Sequence, residues 1–502
     1  MSPRSGPREA PQHARDAHPG LSPNAQVVVT GAMFALFLAA LEQTIVSTAL
    51  PAIMADLGHV ELSSWVITSY LIATVCATPV LGKLSDMLGR TAVLRVCLGL
   101  FVAASVLCAL SPTMYALIAG RALQGIGGGG LIVMAQTIVG DAVPPRERGR
   151  FASYFSIVWM SAAVLGPVIG GVLTQHTGWR WVFWINLPLG VAATILSERG
   201  LRVLPQVRRP ARMDLVGIAL LTIAAITLLV VASRARTLLA WDASSIVLAT
   251  ISIIAWMLFL RRQRVVHEPI VPSEFLRDPV IGPVLTTSFL AFGAYLALTV
   301  ITPLYFQIGL RLSAADSGLL LVPMMATSSV SAFLAGRYTK THGRYRMPPL
   351  VTLPFAIAGC IALALVMPQG SALAVTLLTA FIALAIGPMF PCCMVAAQYA
   401  AGPRHLGAVS GAVALSRSLG AAVVTGLLMA VLLSTIIRLL PELAPLSSLE
   451  DLLRRPLDPN ARTSIMRAFA PLTWVVAGVL ALGWLAFARV EDRELKHAPR
   501  TS

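Results

Sequence analysis

Three ionisable side chains stand inside long apolar runs: Glu42, Arg121 and Arg417. A charge at bilayer depth costs about 2.5–3.5 kcal/mol on insertion scales, so such groups are candidates for function. Glu42 lies roughly 15 residues into the first run, and Arg121 about 7 residues into the fourth, entered from the opposite side. At ~1.5 Å per residue the two reach similar depth, so a Glu42–Arg121 pair, direct or through water, is expected. Desolvation raises a carboxyl's proton affinity and a nearby cation lowers it. A glutamate whose arginine partner comes and goes is therefore a reversible proton carrier. The competing reading is a static ion pair that only fixes packing. Arg417, near mid-membrane, either holds an anionic group, balances Glu42, or is structural. Gln43, Thr44, Ser47 and Thr48 follow Glu42. Thr44, Ser47, Thr48 and Pro51 share a helical face that could line a polar cavity, and Glu42 falls off that stripe. Small hydroxyls in membrane helices are more often packing groups than ligands. The candidate substrate-cavity residues are Gln43, Thr44, Ser47, Tyr70, Gln124 and Arg417.

The elements that position these residues follow from composition. The 502 residues are 57% hydrophobic and 12% charged, against about 25% charged in soluble domains. This is an all-α integral membrane protein. A net charge of +16 is compatible with nucleic-acid binding, but the basic residues collect in alternate short loops, the signature of a cytoplasmic membrane face. Nucleic acid is therefore not an expected partner; the lipid bilayer is. All six cysteines lie in apolar runs, without disulfide or metal spacing. No phosphate-binding GxxxxGK[ST] loop occurs, so direct use of ATP is not expected. No cofactor, metal or catalytic residue is expected, because the eight histidines are scattered and form no cluster with acids.

Fourteen spans are expected, arranged six, two, six, at about 26–50, 63–81, 92–111, 114–137, 151–173, 181–198, 214–233, 243–260, 281–305, 315–336, 348–367, 372–396, 405–436 and 467–488. The organisation reads as a disordered cytoplasmic tail (1–24), an N-terminal six-helix bundle (25–198), basic linkers with two inserted helices (199–280), a C-terminal six-helix bundle (281–490) and a cytoplasmic tail (491–502). The outer loop 438–466 breaks the charge rule with Arg438, Arg454, Arg455 and Arg462, and Leu446–Leu453 could form a surface helix. The chain is expected in the cell membrane, both termini cytoplasmic, working as a monomer.

The stretch Gly82-Lys83-Leu84-Ser85-Asp86-Met87-Leu88-Gly89-Arg90 reads as a tight charged loop between two spans. Its Gly…Gly-Arg spacing returns 254 positions on, at Gly336 to Arg344. Arg150 maps to Arg404 and Leu165-Gly166 to Leu419-Gly420 at the same offset, which indicates two structural repeats. Glycine-rich Arg121–Gly130, and Gly166-Pro167-Val168-Ile169-Gly170-Gly171 with its proline, allow close helix approach.

These residues resemble the major facilitator superfamily, specifically its fourteen-helix drug:proton antiporter branch. The likeness covers about 26 to 490. Gly82–Arg90 resembles the loop between helices 2 and 3, and Arg121–Gly130 the helix 4 motif. Gly166–Gly171 is similar to the helix 5 motif of exporters and antiporters. Leu41–Pro51, Gly178–Gly190 and Asp316–Pro323 resemble signatures of the branch. The resemblance implies a latch at Gly82, Asp86, Gly89 and Arg90, proton uptake by Glu42 tuned by Arg121, and an antiporter motif at Gly166, Pro167, Gly170 and Gly171. Two six-helix bundles would rock about a central cavity, and inward protons would drive amphipathic drugs or antibiotics outward. Three departures stand out: Glu42 replaces the usual Asp, Ser47 the usual Asn, and Lys340 occupies the place of Asp86 in the second repeat. Only the first repeat is then expected to carry the full latch. An uptake symporter is the alternative on the same fold, and a membrane enzyme or sensor is the alternative outside transport. With Glu42 nearly the only acid at depth, neutral or zwitterionic cargo stands equal to cationic cargo.

Overall fold

The computed structural model describes residues 23–59, 62–201, 213–234, 243–440 and 459–495. The expectations for most of the N-terminal tail, the stretch 202–212, the surface helix at Leu446–Leu453 and the residues from 496 onward lie outside the described residues.

Every described element is helical. Apolar side chains cannot satisfy backbone N–H and C=O groups in lipid, so the chain satisfies them within helices. The first half comprises α1 (Pro23–Leu57), α2 (Ser63–Leu88), α3 (Arg90–Ala109), α4 (Met114–Ala142), α5 (Pro145–His176) and α6 (Asn186–Leu201), the last preceded by one turn at Trp181–Trp184. Two helices follow, α7 (Leu215–Arg234) and α8 (Ala243–Val265). The second half comprises α9 (Ile281–Leu304), α10 (Val322–His342), α11 (Met347–Val366), α12 (Ala372–Ile386), α13 (Met389–Ala401), α14 (Leu406–Leu439), α15 (Pro459–Ala468) and α16 (Ala470–Ala488). Local chemistry sets several ends. The Thr113 hydroxyl accepts from the Ala116 N–H at 3.2 Å and caps α4, and Ser371 caps α12 through Ala374 at 3.3 Å. Gly387-Pro388 separates α12 from α13 because proline offers no N–H.

Among the described residues, twelve segments are long and apolar enough to cross a membrane. The expected fourteen and the six-two-six layout are not met by that measure. The two shortfalls are Trp181–Ser197 and Leu215–Val231, which are apolar but shorter. A second correction concerns Gly82–Arg90, which is not a loop. Helix α2 runs on to Leu88 and α3 starts at Arg90, leaving Gly89 alone between them at φ 93°. That backbone conformation favours glycine, and the helical continuation puts Asp86 and Arg90 one turn apart.

Packing repeats between the halves. α1 packs on α5 and α6 as α9 packs on α14 and α16, and α2 packs on α4 as α10 packs on α12. Between halves, α2 packs on α14 while α10 packs on α5. This reciprocal exchange is what the 254-residue offset requires of a pseudo-twofold. α7 and α8 pack on each other, and α7 reaches α2 and α14 from outside.

Candidate functional site

Glu42 and Arg121 meet at the centre of the first half. Glu42 is 0% and Arg121 1% exposed. An Arg121 Nη1 donates to Glu42 Oε1 at 2.5 Å and to Gln124 Oε1 at 2.7 Å, and its Nε donates to the Val66 carbonyl at 3.1 Å. The second carboxylate oxygen accepts from Asn186 Nδ2 at 2.6 Å. Gln124 Nε2 donates to Ser105 Oγ at 2.7 Å, and Ser105 Oγ donates to the Phe101 carbonyl at 2.8 Å. The Tyr70 ring lies under the guanidinium, 4.3 Å from centroid to Cζ. One network thus joins α1, α2, α3, α4 and α6. A buried pair keeps its value only where such extra hydrogen bonds satisfy the remaining donors and acceptors. Both carboxylate oxygens face N–H donors, which suits an ionised, acceptor-only carboxylate. Each oxygen accepts one of these hydrogen bonds and keeps a second lone-pair site for a proton; a proton there removes the charge that Arg121 pairs with and so weakens the ion pair.

Asn186 and Ser105 escaped sequence reasoning. The available signal was an asparagine and a serine in apolar stretches, where polar groups tend to find interhelical partners. The Gly178–Gly190 stretch serves two places. Its Asn186 holds Glu42, while Trp179 Nε1 and Arg180 Nη1 donate to Asp56 Oδ2 at 2.9 and 2.6 Å and clasp the end of α1.

Several cavity candidates are moved by the structure. Tyr70 and Gln124 are fully buried inside the network and line no open face. Thr44 turns toward α5, donating to the Ala162 carbonyl at 2.9 Å. There it meets Gly166: a Cβ on that glycine would collide with Thr44, and one on Gly170 would collide with Thr48. These glycines let α1 and α5 touch, whereas Gly171 faces open space. Pro167 sits inside α5 between them. Ser47 is exposed and Gln43 half-buried.

Where α2 meets α14, Asp86 accepts from the N–H groups of Gly407 at 3.0 Å and Ala408 at 2.8 Å. These are orphan donors in the first turn of α14, at the positive end of its dipole. Arg90 pairs with Asp86 at 2.5 Å and with Asp141 at 2.7 Å. The helices approach closely because Gly82 and Gly407 face each other, and a Cβ on either would run into the other's carbonyl oxygen. The second repeat, expected to lack the full latch, makes a single ion pair among the described residues at the matching place. Lys340, at the end of α10, pairs at 3.0 Å with Glu147 in the first turn of α5. The contact is reciprocal in place and inverted in sign. On the same side, Lys83 Nζ donates to Glu268 Oε2 at 2.6 Å, and this hydrogen bond holds the Glu268 carboxyl below its ordinary range. On the opposite side Arg462 donates to the carbonyls of Gly309 and Leu310 at 2.8 and 2.7 Å, closing the helical end there.

The halves touch from this basic side up to mid-helix, through Gly140 against Gln398, Gly149 against Thr339, Pro79 against Gly411, and Tyr154 against Phe333 with centroids 6.2 Å apart. Arg417 sits at mid-height on α14. One of its nitrogens donates to the Phe390 carbonyl at 3.0 Å, and its Cζ lies 5.9 and 5.8 Å from the Phe292 and Phe390 rings.

Comparison with known proteins agrees with this architecture. Residues 32–425 match the family model described as Major Facilitator Superfamily. The chain is 33% identical over 397 residues to the multidrug transporter protein MdtP of Bacillus subtilis, covering 78% of this chain and 73% of that protein. It is 34% identical over 352 residues to an uncharacterized MFS-type transporter, Rv1877, of Mycobacterium tuberculosis, covering 70% of this chain and 51%, about half, of that protein. The crystal structure of the human organic anion transporter MFSD10 superposes with a TM-score of 0.64 at 17% identity, over 93% of this chain and all of that one. At that identity the likeness is one of fold.

Proposed function

From the premise that the chain belongs to the Major Facilitator Superfamily, and so is a multi-pass membrane transporter rather than an enzyme, we propose that it is a proton-coupled exporter of amphipathic small molecules. In this reading it is a member of the fourteen-helix antiporter branch, in which Trp181–Ser197 and Leu215–Val231 cross the bilayer as well. The basic side is the cytoplasmic face of the cell membrane, where both termini lie, and one copy suffices.

The observation that carries the proposal is the buried Glu42 carboxylate with Arg121 on one oxygen and Asn186 on the other. Since protonation cancels the charge that pairs with Arg121, a proton arriving at Glu42 loosens the joint between α1, α4 and α6. Deprotonation restores it. This links proton occupancy to helix arrangement, which is what alternating access about a central cavity needs. The contacts of Asp86 with α14 and of Lys340 with α5 hold the cytoplasmic side shut in the state seen here, leaving Ser47 and Gln43 toward the outer side. Export rather than uptake is supported by the glycines of α5 and by the multidrug transporter MdtP among its relatives. The test is substrate-driven proton movement in proteoliposomes across a panel of amphipathic compounds. Coupling in the parent and Glu42→Asp, and none in Glu42→Gln, is the expected result.

A further inference from the structure

The second half holds a charged side chain with no counter-charge. Arg417 lies 11 residues past the start of α14, about 16 Å along it at 1.5 Å per residue, which is mid-bilayer. Its single hydrogen bond among the described residues goes to the Phe390 carbonyl, and no described carboxylate pairs with it. Its Nε is enclosed without a hydrogen-bond partner. Arg121, at similar depth, has a carboxylate, an amide and a carbonyl. An arginine carries five N–H donors and cannot shed its charge, so Arg417 retains several donors that its own neighbours do not use.

The surroundings are aromatic. Phe292 and Phe390 flank the guanidinium, and Tyr295 packs edge-on against Phe390 with centroids 5.4 Å apart. All four residues are only partly buried. They come from α9, α13 and α14, and the last two also touch α5 and α4 of the first half. The cluster therefore belongs to the face that the two halves enclose. The break at Gly387-Pro388 begins α13 just before Phe390, which brings that ring and its carbonyl to Arg417.

We propose that Arg417, Phe292, Tyr295 and Phe390 form a subsite for the anionic group of an amphipathic aromatic substrate. The guanidinium receives a carboxylate or sulfonate through its unused donors, a charge-assisted and geometrically specific contact. The rings take the adjoining apolar body. This rests on the transport reading for its physiological meaning, although binding can be read without transport. It assigns the second half a preference for anionic or zwitterionic cargo, while the carboxylate of the first half stays engaged with Arg121.

The test uses the purified full-length protein in detergent with three fluorescent probes of one scaffold: 1-pyrenebutyrate, its methyl ester and 1-pyrenebutyl-trimethylammonium. Affinities are read by fluorescence anisotropy. The parent should bind the carboxylate at least tenfold more tightly than the ester or the cation. Arg417→Gln should lose that preference while holding the ester as before, Arg417→Lys should keep part of it, and Phe390→Ala should weaken all three. Equal binding of the three probes by the parent overturns the proposal even if Arg417→Gln does not fold. So does carboxylate binding by a folded Arg417→Gln that matches the parent. Proteoliposome export of the same probes separates the two readings. Export without charge preference in binding refutes the subsite alone, and charge-selective binding without export refutes the exporter reading alone.

Discussion

Replacing Asp86 with Ala removes the acceptor that the first turn of α14 uses at Gly407 and Ala408, both within 3.0 Å. Losing a side-chain acceptor at a helix N-terminus costs about 0.5–2 kcal/mol. Losing its charge at the dipole costs roughly 0.3–1 kcal/mol more. The sum is about 1–3 kcal/mol, a shift of roughly 5–150-fold in the balance between the closed and open basic side. The variant should still fold, since Arg90 keeps Asp141 at 2.7 Å and so retains the turn between α2 and α3. Spin labels on Leu88→Cys and Arg404→Cys, both exposed on this side, report the separation by pulsed dipolar spectroscopy. The described native cysteines are buried and react slowly by comparison. A second, longer distance should appear in Asp86→Ala and a smaller fraction of it in Asp86→Asn, which keeps one oxygen. A distance distribution identical to the parent's in a folded Asp86→Ala would refute the argument that this contact holds the side shut.

Three further outcomes follow from the same geometry. Asn186→Ala leaves Glu42 Oε2 without its donor and should lower stability by about 1–3 kcal/mol, read as a fall in the thermal unfolding midpoint in detergent. Gly166→Ala drives a methyl into Thr44 and should cost about 1–3 kcal/mol by overpacking; adding Thr44→Ala should recover part of the lost midpoint. The Lys83–Glu268 tether has a defined pH window. Because the Glu268 carboxyl is depressed in the fold, its contribution is present above the ordinary value of 4.5 and is lost as pH falls through its folded value below that. Hydrogen exchange over 266–272, corrected for intrinsic rates, should therefore be level from pH 8 to 5 and speed up only below 4.5.

Much of this was legible in the sequence because bilayer physics leaves few options. A long apolar run has to be a helix, and a charge within it stands out, so Glu42 and Arg121 could be paired from depth alone. Their partners were harder to see. Asn186 and Ser105 are neutral and carry no depth penalty that singles them out, and which helices face one another is a tertiary fact. Thr44 looked like a cavity residue because a helical wheel has no knowledge of the neighbouring helix; Gly166 opposite it decides the matter. Gly82–Arg90 looked like a loop because its charges interrupt hydropathy, yet Lys83, Ser85, Asp86 and Arg90 all have partners that make helix tolerable there. Lys340 stands where the first repeat has Asp86, and its partner Glu147 on α5 could not be read from the sequence. Of the fourteen expected spans, Trp181–Ser197 and Leu215–Val231 are apolar but shorter than the other twelve among the described residues.

The most direct test of the account compares Glu42→Gln with the parent in proteoliposomes carrying a pH-sensitive dye, with an exported compound added. The amide keeps the shape of the side chain and cannot cycle a proton. Substrate-driven proton movement is expected in the parent and in Glu42→Asp, and its loss in Glu42→Gln. Proton movement in Glu42→Gln equal to the parent's would contradict it, and would make the buried Glu42–Arg121 pair a fixture of packing.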